Sequence, residues 1–136
     1  MESPQEYQEL LNEFKYFKDQ HDMIQGQLEI LNVSLGTIIN SKKTLENIKE
    51  GVNQDDEILV PIGGRVYVKA SIKDVEKVLL VVPQDVVIEK DLDGAIEFLD
   101  TLIEQHNQQI QFMRSQQQNI DVNLQEISQK IQEGYT

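Results

Sequence analysis

From residue 7 onward, apolar side chains recur every three or four positions. One series reads Tyr7, Phe14, His21, Leu28, Leu35, Lys42, and the other Leu10, Phe17, Ile24, Leu31, Ile38, Leu45, Val52. These are the two seam positions of a heptad repeat, sustained for about six repeats. Ser3 fits an N-cap, Pro4 the first helical position, and Glu6 the third, where its carboxylate reaches back to the cap amide. Gly51 and Asn53 supply a stop. The pattern predicts one helix from about Pro4 to Glu50, roughly 70 Å at a 1.5 Å rise. Typical globular helices run about 8–20 residues, so a coiled coil is expected. Gly26 and Gly36 fall outside the seam and should weaken the helix by up to ~1 kcal/mol each.

The period changes after a polar link, Asn53-Gln54-Asp55-Asp56. Ile58, Val60 and Ile62 alternate along a first strand. Gly63-Gly64 is expected to form a two-residue hairpin turn with positive φ. Val66, Val68 and Ala70 then alternate with Arg65, Tyr67 and Lys69. Pro61 has no amide donor, so the first strand lies at an edge or turns that position away from its partner. After a second polar link, Ser71 to Lys77, the run Val78–Val82 is continuously apolar. Pro83-Gln84-Asp85 turns the chain, and Val86-Val87-Ile88 returns. Four short runs separated by turn residues predict two consecutive β-hairpins.

The helical period resumes near Asp91. One seam is Ile96, Ile103, Ile110, Gln117, Leu124, Ile131, and the other Leu92, Leu99, His106, Met113, Ile120, Ile127. Asp91 and Asp93 place negative charge at the positive end of the helix dipole, and Gly134 is expected to end the helix. Two helices of similar length on either side of a turn-back element suit a long antiparallel two-helix coiled coil. The expected class is mainly α with a small β part. Its segments are an N-terminal coiled-coil helix (1–52), two β-hairpins (53–90) and a C-terminal coiled-coil helix (91–136).

The third strand is apolar on both faces. About thirty residues of sheet without a covering helix cannot bury both faces in one chain. Oligomerisation through the hairpins is therefore expected. The side chains assigned to it are Ile58, Val60, Ile62, Val66 and Val68 in the first hairpin, and Val78, Leu80, Val82, Val86 and Ile88 in the second.

Composition narrows the function. The 136 residues carry 24 acidic and 12 basic side chains, a formal net charge of −12. With the basic residues scattered, this opposes binding to nucleic acid. There is no cysteine, which excludes disulfides, thiol catalysis and cysteine-based zinc sites. Met1-Glu2-Ser3-Pro4 has no basic segment followed by an apolar core, so no signal peptide is expected. No apolar run approaches the ~20 residues that span a bilayer. A soluble cytoplasmic protein, with no membrane or nucleic-acid partner, is the expectation.

Catalytic patterns are missing. Gly63-Gly64 lacks the lysine and hydroxyl of a nucleotide loop. Asp55-Asp56-Glu57 lacks the ligand spacing and glycine of a calcium loop. His21 and His106 are both seam residues, out of register along the two helices, and are better read as fixing register than as sharing a metal. No enzyme, cofactor or metal is expected.

The aromatic residues are unevenly placed. Of four tyrosines and four phenylalanines, Tyr7, Phe14, Tyr16 and Phe17 lie in the first seventeen residues and Tyr135 is next to last. In an antiparallel hairpin both termini meet at the end away from the sheet. Tyr7, Phe14 and Phe17 also read simply as large seam residues, whereas Leu11 and Tyr16 flank the seam. An apolar patch at such tips suits loose capture of other apolar chains. The candidate capture residues are Tyr7, Leu10, Leu11, Phe14, Tyr16 and Phe17, with Leu124, Ile127 and Ile131 from the second helix.

The stretch Ile58-Leu59-Val60-Pro61-Ile62-Gly63-Gly64-Arg65-Val66-Tyr67-Val68 resembles the first-hairpin motif of the prefoldin family, alpha class. Val87-Ile88-Glu89-Lys90-Asp91-Leu92-Asp93-Gly94-Ala95-Ile96-Glu97-Phe98-Leu99 resembles the start of its second helix. Two hairpins rather than one mark the alpha class, and the short chain looks archaeal. At the second turn this chain reads Pro83-Gln84-Asp85-Val86-Val87, where the family carries glycines followed by an aromatic. The resemblance implies an ATP-independent cochaperone. In it, two alpha and four beta subunits join their hairpins in an inter-subunit β-barrel. Six coiled-coil arms capture non-native polypeptides at their tips and pass them to a group II chaperonin. A structural filament or scaffold subunit, like divergent paralogues of the family, is the alternative.

Overall fold

The computed structural model describes residues 3–135, the last by its backbone alone. The order is α1 (Pro4–Gly51), β1 (Glu57–Pro61), β2 (Tyr67–Ser71), β3 (Lys77–Val82), a short 3-10 turn (Pro83–Asp85), β4 (Val86–Asp91) and α2 (Leu92–Tyr135). Two long helices, of 48 and 44 residues, are thus joined by two β-hairpins, and the fold is mainly helical with a small β part.

Side chains set the helix starts. The Glu6 amide donates to Ser3 Oγ at 3.2 Å, and the Ser3 amide donates to Glu6 Oε2 at 3.3 Å. This is the reciprocal capping box expected from Ser3-Pro4-Gln5-Glu6. At α2 the Gly94 amide donates to Asp91 Oδ1 at 2.7 Å, so Asp91 is the N-cap. A Cβ at residue 94 would fall 2.7 Å from that same oxygen, which suits glycine at this position.

The helix ends differ in detail from expectation. Gly51 is the last residue of α1, and no glycine among the described residues has positive φ. The chain turns instead at Asn53–Asp56. There the Asp56 amide donates to the Asn53 carbonyl at 3.1 Å and the Asn53 amide donates to Asp56 Oδ2 at 2.8 Å. Asp55 takes the left-handed conformation, φ 74°, which a short polar side chain tolerates. Gly134 does not end α2, which continues to Tyr135. A single glycine costs only about 1 kcal/mol against alanine and does not by itself break a helix.

The hairpins form two separate two-stranded sheets, β1-β2 and β3-β4. In the first, Ile58 faces Ala70 and Val60 faces Val68. The Ile62 amide donates to the Val66 carbonyl at 3.0 Å, so the loop is Gly63-Gly64-Arg65. The expected two-residue turn is therefore corrected to a three-residue one. A two-residue turn would shift β2 by one position and set Ile58 against Lys69. Apolar cross-strand pairing overrides the local turn signal. Because Ile62 and Val66 are hydrogen-bonded, Pro61 falls at a non-hydrogen-bonded position and its nitrogen faces the free edge. In the second hairpin Leu80 faces Ile88 and Val82 faces Val86. Its turn puts two non-glycine residues in the left-handed region, Gln84 at φ 70° and Asp85 at φ 59°.

The chain divides into two compact units, Met1–Leu35 with Gln105–Thr136, and Gly36–Glu104. In the first, Ile24, Leu28 and Ile110 are buried, with Leu31, Leu35, Met113 and Ile120 packed against them. All seven are seam residues. The two helical segments run antiparallel: Gln117 Nε2 donates to Gln25 Oε1 at 2.7 Å, and Ser34 Oγ lies 3.1 Å from His106 Nε2. In the second unit Leu92, Ala95 and Leu99 are buried. Lys42 pairs with Asp100 at 2.6 Å and Lys49 with Asp93 at 2.5 Å.

Candidate interaction surfaces

The hairpins carry most of the apolar surface that unit 36–104 leaves in water. In the first hairpin Val60, Ile62, Val66 and Val68 are exposed and Ile58 is half-buried. Leu59 and Tyr67, on the opposite face from the expected set, are exposed as well. This hairpin is therefore apolar on both faces.

The second hairpin divides cleanly. Val78, Leu80 and Val82 alternate with Lys77, Leu79 and Val81, and the half-buried set is the first one. Residues 78–81 line a groove with Ser41, Thr44, Leu45 and Leu99, and among them Val78 and Leu80 are the half-buried ones. Ile88, cross-strand from Leu80, is also half-buried, while Val86 is exposed. Leu79 at 70% and Val81 at 67% exposure, with Val87, form the uncovered face. Sequence reasoning missed Leu79, Val81 and Val87. A continuous apolar run shows that both faces are apolar, but not which of them the helices cover.

The terminal segments of the first unit form the other candidate surface. Tyr7, Leu10, Leu11, Phe14 and Phe17 of α1 are half-buried, as are Leu124 and Ile131 of α2. Ile127 is buried at 6% exposure and packs inside the pair. Tyr16 is the exposed member at 59%, its ring edge-on to Phe17 with centroids 5.4 Å apart. The side chain of Tyr135 lies outside the described residues. Glu6, Glu9 and Glu13 line a shallow groove beside Leu10, with Lys130 opposite.

Polar groups in the seams are paired. His21 Nε2 lies 3.3 Å from Asp121 and its Nδ1 3.3 Å from Asp22. The His21 ring and the Lys18 ammonium hold the Asp22 carboxyl below the usual carboxylate range. Asp100 and Asp93 hold the Lys42 and Lys49 ammonium groups above the usual lysine value. Among the described residues no cluster of three or more histidine, aspartate or glutamate side chains could hold a metal. No helix among them is long and apolar enough to cross a membrane.

Residues 17–136 match the family model described as Prefoldin subunit. The chain is 33% identical over 97 residues to the prefoldin subunit alpha of Methanobrevibacter smithii, covering 71% of this chain and 65% of that protein. It is 27% identical over 128 residues to the subunit alpha of Pyrococcus horikoshii, covering 94% and 86%. Against that of Thermofilum pendens it is 28% identical over 127 residues, covering 93% and 98%. A chain from the solved structure of filamentous PFD from Methanocaldococcus jannaschii superposes with a TM-score of 0.74 at 18% identity, covering 88% of this chain and 98% of that one. At that identity the superposition speaks for the fold alone.

Proposed function

The chain belongs to the prefoldin family, with alpha subunits as its relatives, and from this we propose that it is the alpha subunit of an ATP-independent cochaperone. Two copies join four beta-type subunits through the hairpins. The helix ends capture non-native polypeptides, which pass to a group II chaperonin. The reading is cytoplasmic and needs no cofactor or catalytic residue.

The observation that carries this reading is the apolar surface on both hairpins. Leu59, Ile62, Tyr67, Leu79, Val81 and Val87 all stand exposed on strands or turns. Each two-stranded sheet also has two free edges. Edges of this kind pair with other chains unless blocked. Joining hairpins in a β-barrel removes the edges and covers the apolar face at once.

Capture at the helix ends follows from weak individual contacts. A single tip offers Tyr16 and the rims of its half-buried neighbours. Several arms on one platform raise the effective concentration, so loose sites hold a client together. Release then needs no nucleotide. Deleting residues 1–17 together with 119–136 should abolish protection of an unfolding client in a light-scattering assay, with assembly intact. Undiminished suppression of aggregation by the truncated complex would refute the tip assignment.

The second reading is a filament or scaffold subunit. It draws on the superposed chain, which belongs to a filamentous assembly. Particle mass separates the two: a closed six-chain complex with a beta-type partner supports the first, and open polymers of this chain alone support the second.

A further inference from the structure

One side of α1 carries apolar residues that the seam does not use. Tyr16, Met23, Ile30 and Val33 are exposed by 59%, 52%, 71% and 71%. Tyr16, Met23 and Ile30 are spaced seven apart. Gly26 and Val33 follow Met23 and Ile30 by three. This is the spacing of a second heptad seam, rotated around α1 from the one that meets α2. A methyl group built on Gly26 would meet nothing within 4 Å, so another backbone has room to approach.

The border of this stripe is acidic on one side and neutral on the other. Asp22 and Glu29 directly precede Met23 and Ile30, and Asp19 lies in the stripe itself. Lys15 is the basic residue beside Tyr16. Asp22 is already engaged by Lys18 and His21, each at 3.3 Å, which leaves Asp19 and Glu29 against the single Lys15, a net negative sign. Gln20 and Gln27 form the neutral border. A second copy of this chain would bring the same acids against themselves, with a net charge of −12 on each copy.

We propose that this face of α1 docks a basic amphipathic helix of another protein. The partner lays an apolar heptad stripe along Met23, Gly26, Ile30 and Val33. Its flanking lysines or arginines face Asp19 and Glu29. This is helix-in-groove recognition, with charge choosing the partner. It is independent of client capture at the helix ends, which rests on other residues apart from Tyr16.

The test uses the full chain and a synthetic fluorescent peptide of about four heptads, with leucine at the seam and lysine at the flanks. Fluorescence anisotropy at low salt should give saturable binding. The same peptide with glutamate flanks should bind at least about tenfold more weakly, because like charges then face each other. The double variant Ile30→Gln/Val33→Gln should lose at least about tenfold for the lysine peptide, since it removes the apolar contact. Glu29→Lys tests the charge contribution without touching the apolar stripe and should bring the two peptides closer in affinity. Phe112→Gln, exposed on α2 and outside both the stripe and the capture residues, should change nothing, which shows that the loss belongs to this face. Circular dichroism should show each variant as helical as the parent. No saturable binding, equal affinity for the two peptides, or an Ile30→Gln/Val33→Gln variant that binds as well as the parent would overturn the proposal.

Discussion

Replacing Leu79 and Val81 together by serine should weaken assembly and leave the chain's own stability unchanged. Both side chains stand on the uncovered face of β3, 70% and 67% exposed. Fully burying a valine or leucine side chain is worth about 1.5–3 kcal/mol. Covering the roughly two-thirds still in water is then worth about 1–2 kcal/mol each, or about 2–4 kcal/mol for the pair. At 1.4 kcal/mol per decade this is roughly 30- to 700-fold in association with a beta-type partner. The assay is sedimentation velocity across a partner titration, alongside a thermal melt of the isolated chain. Val78→Ser/Leu80→Ser is the control. Those residues are half-buried on the opposite face of β3, so the melt should fall by the equivalent of about 1–2 kcal/mol per residue. If Leu79→Ser/Val81→Ser assembles as tightly as the parent, and Val78→Ser/Leu80→Ser blocks assembly without lowering the melt, the faces have been assigned the wrong way round.

Other consequences are local. Gly36→Ala should raise helix stability by up to ~1 kcal/mol, because nothing lies within 4 Å of the added methyl; a lower melting temperature would contradict this. Gly94→Ala should cost about 1 kcal/mol, since its methyl meets the capping Asp91 oxygen at 2.7 Å, and adding Asp91→Ala should cost little more. Gln84→Gly should stabilise the second hairpin by about 1 kcal/mol, as Gln84 sits at φ 70°; chemical denaturation measures it. The ion pairs give a pH profile with a defined sign. Asp22 is held low, so its contribution is present above the ordinary carboxylate range and is lost as pH falls through its lowered value. Lys42 and Lys49 are held high, so theirs is present below the ordinary value of 10.5 and is lost as pH rises through the raised one. Lys42→Met/Lys49→Met should flatten the alkaline side of the melting profile and leave the neutral plateau in shape.

Periodicity carried most of the fold. Ile24, Leu28 and Ile110 are buried where the heptads place them, because a long two-helix seam is a one-dimensional packing problem that spacing solves. The capping box at Ser3 and Glu6 was equally legible, since its partners are three residues apart. Turns were harder. The Gly63-Gly64 signal is local, but the register that won is set by Ile58 meeting Ala70 and Val60 meeting Val68 across the hairpin. The second turn keeps left-handed residues at Gln84 and Asp85, where glycines would do so without strain. Leu79 and Val81 were missed because a fully apolar strand does not say which face its own helices cover. The exposed Met23, Ile30 and Val33 were overlooked because the stronger seam on the same helix absorbed the pattern.

The central claim is that the hairpin faces are inter-subunit surface rather than core left incompletely covered. Native mass spectrometry of the chain mixed with a beta-type prefoldin subunit tests it most directly. The account predicts a closed six-chain particle with two copies of this chain, lost on Leu79→Ser/Val81→Ser. A folded, stable monomer that ignores the partner at every ratio would contradict it.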